Sequence, residues 1–218
     1  MMIKVNREIL KKNSKFHRFI CFTFRGIVSL IFRLQVVGTE NEPAEGGFLV
    51  CSNHLCAADP VIITACMQNQ VCFMGKKELF KVPLVSLFLR SLGAFPVDRR
   101  GGDVSAVKNS IYLLKEGKCV GMFPQGTRHP GEEPRETTVR NGAAMIAYHA
   151  DATVLPVFIH CKNYTPKLFR KTTVVIGKPI PISEFAYDAE KKGEYARIAG
   201  EMFERICALY EESGHETV

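Results

Sequence analysis

Short apolar runs separated by polar, turn-forming segments recur along most of the chain. Seven of these runs have the length and composition of strands, and they lie at 34–39, 47–51, 71–75, 95–97, 118–123, 152–159 and 172–177. Between them, apolar residues at helical spacing predict helices at 61–67, 103–115 and 141–150, and from about residue 195 near the C-terminus. Strands that alternate with helices are typical of an α/β fold, so we expect a mostly parallel central sheet flanked by helices.

The segment 79–90 is strongly apolar and carries Pro83 near the start of a predicted helix. Two interpretations are open: a helix of the protein core, or a surface patch that touches lipid. We expect a core helix, because large exposed apolar patches need a specific reason to exist.

The first 37 residues have a different pattern. On a helical projection one narrow stripe is basic or polar, and the other faces are apolar; the stripe contains Lys11, Lys15, Arg18, Arg25, Ser29 and Arg33. Arginines interrupt every apolar run before it reaches the roughly 18 residues that a membrane-spanning helix needs. We therefore expect a basic amphipathic helix in the membrane interface, with a core-packing helix as the alternative. The predicted division is a membrane-associating segment, 1–37, and an α/β domain, 38–218.

Composition adds a formal net charge of +7, which favours an anionic partner such as nucleic acid, an anionic membrane surface or an acidic carrier protein. The chain contains no recognisable nucleic-acid-binding motif, so no nucleic acid partner is expected. None of the eight cysteines forms a C-x-x-C pair, which indicates reduced core residues. Cys51, His54 and Cys56 are close in sequence but lack a second ligand pair, so no metal is expected.

The segment NHLCAADP, residues 53–60, follows a predicted strand and precedes a predicted helix with Pro60 in its first turn. A residue before proline avoids the helical region, so Asp59 is expected just outside the helix and His54 in the turn. Such a turn can fold His54 back onto Asp59, whose carboxylate would hold one imidazole nitrogen while the other accepts a proton. The simpler alternative is that Asp59 only caps the helix. Ser52 is disfavoured as a nucleophile because the glycines of a nucleophile elbow are missing.

Four segments in this order resemble the motifs of the glycerolipid acyltransferases. They are NHLCAADP at 53–60, GAFPVDR at 93–99, FPQGTR at 123–128 and VLPV at 154–157, with a further match in KKEL at 76–79. Within the family, the chain is most similar to the 1-acyl-glycerol-3-phosphate acyltransferases. The resemblance implies that His54 and Asp59 are catalytic.

The resemblance also implies a set of substrate-binding residues: Lys76, Arg99, Gln125, Gly126, Thr127 and Arg128. The cations would bind a phosphate headgroup, for which the forked guanidinium of arginine is well suited. The glycine would let the backbone approach the ligand, and Gln125 and Thr127 would orient the glycerol. Gln125 departs from the family pattern, in which glutamate is usual.

The implied reaction moves a fatty acyl group from acyl-ACP or acyl-CoA to the sn-2 hydroxyl of 1-acyl-glycerol-3-phosphate, without a cofactor. The lysophospholipid acceptor and the basic N-terminal segment together place the protein at the cytoplasmic face of the cell membrane, as a peripheral protein. Two alternatives stay open: an acyltransferase for another lysolipid or for glycerol-3-phosphate, and a catalytically silent lipid-binding homologue. The second is motivated by Gln125.

Overall fold

The computed structural model describes residues 15–97 and 104–212. In that part of the chain the helices and strands are α1 Lys15–Phe32, β1 Leu34–Val37, β2 Phe48–Ser52, α2 Asp59–Cys66, β3 Val71–Lys76, α3 Pro83–Ser91, β4 Phe95–Val97, α4 Val104–Lys115, β5 Cys119–Met122, α5 Gly142–Ala150, β6 Thr153–Cys161, β7 Thr172–Ile176 and α6 Glu194–Glu212. Each predicted strand is present, with its ends within two residues of the prediction.

All seven strands form one sheet in the order β1-β7-β6-β2-β5-β3-β4. The five strands from β6 to β4 run parallel to one another. Strand β7 is antiparallel to β6, and β1 is parallel to β7. The prediction of a mostly parallel α/β sheet is confirmed. We call the side where the five parallel strands end the carboxyl edge; β1 and β7 begin there because they run the opposite way.

Helices cover the sheet on both faces. Helices α1 and α2 contribute to one apolar cluster, and α4, α5 and α6 contribute to the other. Strand β2 lies between β6 and β5, and all five of its residues are buried. A strand buried on both faces is apolar throughout rather than alternating, which explains the unbroken apolar run in the sequence. The rigid centre of the sheet therefore carries the turn that contains His54.

Helix α3 contradicts the prediction of a core helix for segment 79–90. None of its nine residues, all of which the structure describes, is buried, and the side chain of Leu84 is 80% exposed. The physical reason is topological: α3 connects β3 and β4, the last two strands at one side of the sheet, so it packs at the border of the sheet. An apolar sequence predicts the helix but not whether a neighbour covers it.

Helix α1 packs against α2 with only part of its surface. Val28 and Phe32 are buried, and the Arg25 guanidinium donates a hydrogen bond to the Met67 carbonyl. Ile27 and Leu30 point outward and are exposed. None of the helices in the described part of the chain is both long enough and apolar enough to cross a bilayer.

Candidate active site

The turn after β2 is anchored to the neighbouring strand by the buried side chain of Asn53. Its amide donates to the Ile159 carbonyl at 2.9 Å, and its oxygen accepts the Ile159 N–H at 2.8 Å. This pair of bonds replaces the strand ladder where β2 ends. The adjacent Ser52 is also buried, with its hydroxyl donating to the Asn53 carbonyl. The turn that follows is thus fixed to the centre of the sheet at the carboxyl edge.

The predicted contact between His54 and Asp59 is present. The imidazole Nδ1 lies 2.7 Å from Asp59 Oδ2, and the same oxygen accepts the backbone N–H groups of Leu55 at 2.6 Å and Cys56 at 2.8 Å. The Asp59 side chain is fully buried, and that of His54 is 12% exposed. The carboxylate accepts only, so Nδ1 must be the donor, and the neutral imidazole then presents Nε2 as a proton acceptor.

One detail of that prediction is wrong: Asp59 is the first residue of α2 rather than a residue outside it. The Ala58 carbonyl accepts the first helical hydrogen bond, from the Ile62 N–H at 2.9 Å, so the first turn encloses Asp59. Because Asp59 folds its carboxylate back over the turn, it stabilises the N–H groups before the helix rather than capping the helix itself.

The thiol of Cys56 completes the environment of the carboxylate. Its Sγ lies 3.2 Å from Asp59 Oδ1. Burial, reinforced by the negative charge of Asp59, raises the pKa of Cys56 to about 12. The group is therefore a neutral thiol at physiological pH and donates its proton to the carboxylate.

Phe123 supports the imidazole ring from one side. The two rings stack with centroids 3.9 Å apart and planes 12° apart, and Phe123 in turn stacks on Phe73. Together with the bond to Asp59, this contact holds the imidazole plane in one orientation. The sequence places Phe123 within a motif but gives no sign of this role.

Gln125 is 2% exposed, and its amide is engaged at both ends. Its Oε1 accepts the backbone N–H of His54 at 2.6 Å, and its Nε2 donates to Thr137 Oγ1 at 2.6 Å. The Thr137 hydroxyl donates to the Pro134 carbonyl at 2.6 Å. Gln125 therefore links the backbone of His54 to the loop after β5.

Replacing Gln125 with leucine should lower both stability and turnover. The partly buried His54 N–H would lose its acceptor, which costs about 1–3 kcal/mol, and the imidazole would lose part of its positioning. Chemical denaturation and steady-state kinetics measure the two effects. Gln68, which is exposed, is the matched control, and a Gln125→Leu variant as stable and active as the Gln68→Leu variant would contradict the positioning role.

Gly126, Thr127 and Arg128 form an exposed turn beside His54. Gly126 has a φ of +72°, in the left-handed region that favours glycine, and a Cβ there would lie 2.7 Å from the Arg140 side chain. The N–H of the following residue, His129, donates to the His54 carbonyl at 2.9 Å. The structure therefore brings these three predicted residues next to the His54 turn.

The two remaining predicted cations are placed differently. Lys76 ends β3 at the carboxyl edge with an exposed side chain, two strands away from β2. Arg99 lies outside the described residues. The structure thus places Lys76 at the same edge of the sheet as His54 but records no contact between the two.

Two features near the site were missed by the sequence analysis. Arg140 packs against the Gly126 turn, and its backbone N–H donates to the Pro124 carbonyl at 2.8 Å. His129 joins the Thr127 hydroxyl to the Glu132 carboxylate, at 3.1 Å on each side. Both residues follow the FPQGTR motif in the segment between β5 and α5. The sequence pattern of that segment does not indicate which of its side chains contact the motif.

Comparison with known proteins supplies the family. The Acyltransferase family model matches residues 33–160, which is more than half of the chain. The 1-acyl-sn-glycerol-3-phosphate acyltransferase of Bacillus subtilis (strain 168) is 33% identical over 179 residues, covering 81% of this chain and 88% of that protein. The enzyme of the same name from Streptococcus pneumoniae (strain ATCC BAA-255 / R6) is 31% identical over 198 residues, covering 84% and 70%.

A solved structure has the same fold. The crystal structure of the 1-acyl-sn-glycerophosphate (LPA) acyltransferase PlsC from Thermotoga maritima matches with a TM-score of 0.69 at 22% identity, covering 95% of this chain and 87% of that one. The mostly parallel sheet flanked by helices is therefore shared with that protein. The motif order, the family match and the similar relatives agree, and this chain belongs to the Acyltransferase family and is an acyltransferase.

Proposed function

We propose that the protein transfers a fatty acyl group from acyl-ACP or acyl-CoA to the sn-2 hydroxyl of 1-acyl-glycerol-3-phosphate, which yields phosphatidic acid. The observation that carries the proposal is the 2.7 Å contact between His54 Nδ1 and the buried Asp59 carboxylate. The acceptor is supported by the names of the relatives, several of which are 1-acyl-sn-glycerol-3-phosphate acyltransferases.

In the proposed reaction His54 Nε2 takes the proton from the acceptor hydroxyl as its oxygen attacks the thioester carbonyl carbon. The tetrahedral intermediate then expels the thiolate, the C–S bond breaks, and the imidazolium returns the proton to the departing sulfur. Asp59 holds the imidazole in the required tautomer and stabilises the imidazolium while it exists. The thioester is already activated, so no covalent acyl-enzyme is needed.

The acceptor phosphate is proposed to bind Arg128, with Arg99 and Lys76 as further cations. The exposed Gly126 turn lets the ligand approach the backbone, and Thr127 offers a hydroxyl to the glycerol. Gln125 takes a different part from the one expected: since both ends of its amide already bind protein groups, it positions the backbone of His54. An uncharged amide suits this part, because it accepts from one group and donates to the other.

Replacing Arg128 with alanine should raise the KM of the phosphate-bearing acceptor about 10- to 100-fold, as loss of a hydrogen bond to a charged group costs roughly 1.5–3 kcal/mol. The KM of the thioester donor should change little. Arg205, an exposed arginine of α6 paired with Glu201, is the matched control. Equal increases in the two KM values would reject the phosphate role of Arg128.

We further propose that the protein attaches peripherally to the anionic cytoplasmic face of the cell membrane through its first 37 residues. Support comes from the net charge of +7 and from the exposed Ile27 and Leu30 on α1. Apolar side chains combined with cations bind anionic lipid by burial and by charge together.

A panel assay tests the proposed substrates. Acyl-ACP and acyl-CoA are each offered with 1-acyl-glycerol-3-phosphate, glycerol-3-phosphate and lysophosphatidylcholine, and the acylated lipid is quantified by mass spectrometry. Fastest product formation from 1-acyl-glycerol-3-phosphate is the expected result. Faster acylation of glycerol-3-phosphate or lysophosphatidylcholine would show that the proposed acceptor is wrong. If no pair gives a product, a lipid-binding protein without catalysis is favoured.

A further inference from the structure

Most of the large apolar residues that are more than half exposed lie in three segments of the described chain. Each of six residues is more than half exposed: Ile27 and Leu30 on α1, Leu84 and Leu87 on α3, and Leu168 and Phe169 in the loop between β6 and β7. We call these six residues the apolar rim. Exposed apolar side chains that occur singly are ordinary, but a concentration of them marks an interaction surface.

The three segments are neighbours in space. The ring of Phe24 on α1 meets that of Phe88 on α3 edge to face, with centroids 5.8 Å apart. At the C-terminal end of α1, the Phe169 N–H donates to the Ile31 carbonyl at 2.6 Å. Helix α1 therefore bridges α3 and the loop, and the apolar rim crosses one side of the molecule.

This side borders the carboxyl edge, where His54 lies. Helix α1 ends at Phe32, immediately before β1 begins at that edge. The loop with Leu168 follows the last residue of β6, which also ends there, and α3 starts shortly after the end of β3. Parts of all three segments thus lie at the edge that carries the catalytic turn.

Exposed cations flank the apolar rim in sequence and in place. Lys167, Arg170 and Lys171 surround the two apolar residues of the loop. Lys77 and Lys81 precede α3, and Arg33 follows α1. Helix α1 itself, Lys15–Phe32, contains no acidic residue. Apolar side chains interleaved with lysine and arginine are suited to the boundary between acyl chains and anionic headgroups.

We propose that the apolar rim and its flanking cations form one composite docking surface for an anionic lipid bilayer. The proposal rests on the membrane attachment proposed above and extends it from the N-terminal segment to α3 and the loop 165–171. Docking through this surface sets the carboxyl edge against the headgroups, so that an acceptor lipid reaches His54 from the bilayer. A second copy of the chain is a poorer occupant, because two such surfaces would oppose like charges.

Vesicle flotation in the absence of any acyl donor tests the surface independently of catalysis. The full-length protein is mixed with vesicles of phosphatidylcholine containing phosphatidylglycerol, and with vesicles of phosphatidylcholine alone. Two double variants are compared with the wild type: Leu84→Ser/Leu87→Ser and Leu168→Ser/Phe169→Ser. Each should lower the partition coefficient for the anionic vesicles at least tenfold. Tyr112→Ser is the control, since Tyr112 is an exposed residue of α4, which covers the other face of the sheet.

A charge variant and two solution measurements complete the test. Lys167→Ser/Lys171→Ser should weaken binding to the anionic vesicles and leave binding to the neutral ones unchanged. Circular dichroism should show all variants folded, because the changed side chains are exposed. If both apolar variants bind the vesicles as well as the wild type does, the composite surface is wrong. It is also wrong if the variants still bind vesicles but lose a dimer that the wild type shows in size-exclusion chromatography.

The outcome is separable from that of the proposed reaction. A water-soluble short-chain lysophosphatidate should be acylated at wild-type rates by both apolar variants, while acceptor embedded in vesicles should be acylated at least tenfold more slowly. Loss of activity on both acceptors would overturn the docking role of these residues. If the wild-type protein acylates the soluble acceptor but binds no vesicles, the docking surface is wrong and the proposed reaction still holds.

Discussion

Replacing His54 with alanine should lower kcat for acyl transfer by about 100- to 10,000-fold, the range that a positioned general base supplies. The reason is specific to this turn: Nδ1 is held by Asp59, the ring is stacked on Phe123, and only Nε2 is left to take a proton. The KM of the donor thioester should change little, since His54 is proposed to act on the acceptor hydroxyl.

The measurement is an initial-rate assay of phosphatidic acid formation at saturating donor, accompanied by circular dichroism to show that the variant is folded. His149→Ala is the matched control, because His149 is an exposed histidine on α5. A His54→Ala variant that retains more than a tenth of the wild-type kcat would show that another group removes the proton.

Asp59 is expected to give the second large effect. Asn in its place keeps the shape and an acceptor oxygen for the Leu55 and Cys56 N–H groups. It removes the charge that would stabilise the imidazolium in the proposed reaction. We expect kcat of Asp59→Asn to fall by about 100-fold or more, as happens when the carboxylate of a His–carboxylate pair is neutralised. Its stability should change much less than that of Asp59→Ala.

The alanine variant separates structure from catalysis. Asp59→Ala leaves the Leu55 and Cys56 N–H groups without their acceptor, and each such loss in a buried site costs about 1–3 kcal/mol. Urea denaturation of the two variants measures this difference. If Asp59→Asn kept full activity while Asp59→Ala only lost stability, the role of the carboxylate would be structural. Proton transfer by His54 would then not require the negative charge of Asp59.

Much of this architecture is predictable from the sequence because it is local. Each strand is an apolar run bounded by turn residues, and the contact between His54 and Asp59 needs only five positions of chain and a helix start at Pro60. The error at Asp59 is equally local: proline disfavours a helical residue before it, yet the Ala58 carbonyl begins the helix one residue early.

The part that failed depends on tertiary position. Segment 79–90 has the composition of a core helix, and its exposure follows from the place of β3 and β4 at the border of the sheet. Hydrophobic periodicity contains no information on strand order, so it cannot distinguish a covered helix from an uncovered one.

Gln125 shows the same limit within the site. Its partners are the His54 N–H, 71 positions away, and the Thr137 hydroxyl, 12 positions away. From sequence alone an amide in a substrate-binding motif is expected to face the substrate. The long-range bonds instead turn it inward, where one amide accepts from His54 and donates to Thr137. A carboxylate in its place would have no N–H to donate to the Thr137 hydroxyl.

A single-turnover experiment tests most directly whether the acceptor hydroxyl attacks the thioester itself, which is the step that His54 is proposed to activate. Enzyme in excess is mixed with a thioester that carries a labelled acyl chain, with and without 1-acyl-glycerol-3-phosphate, and the label on protein, donor and lipid is followed with time. We expect the label to pass from donor to lipid only when the acceptor is present, and never to be attached covalently to the protein. Label that first binds covalently to the protein and then moves to the lysolipid would contradict the account.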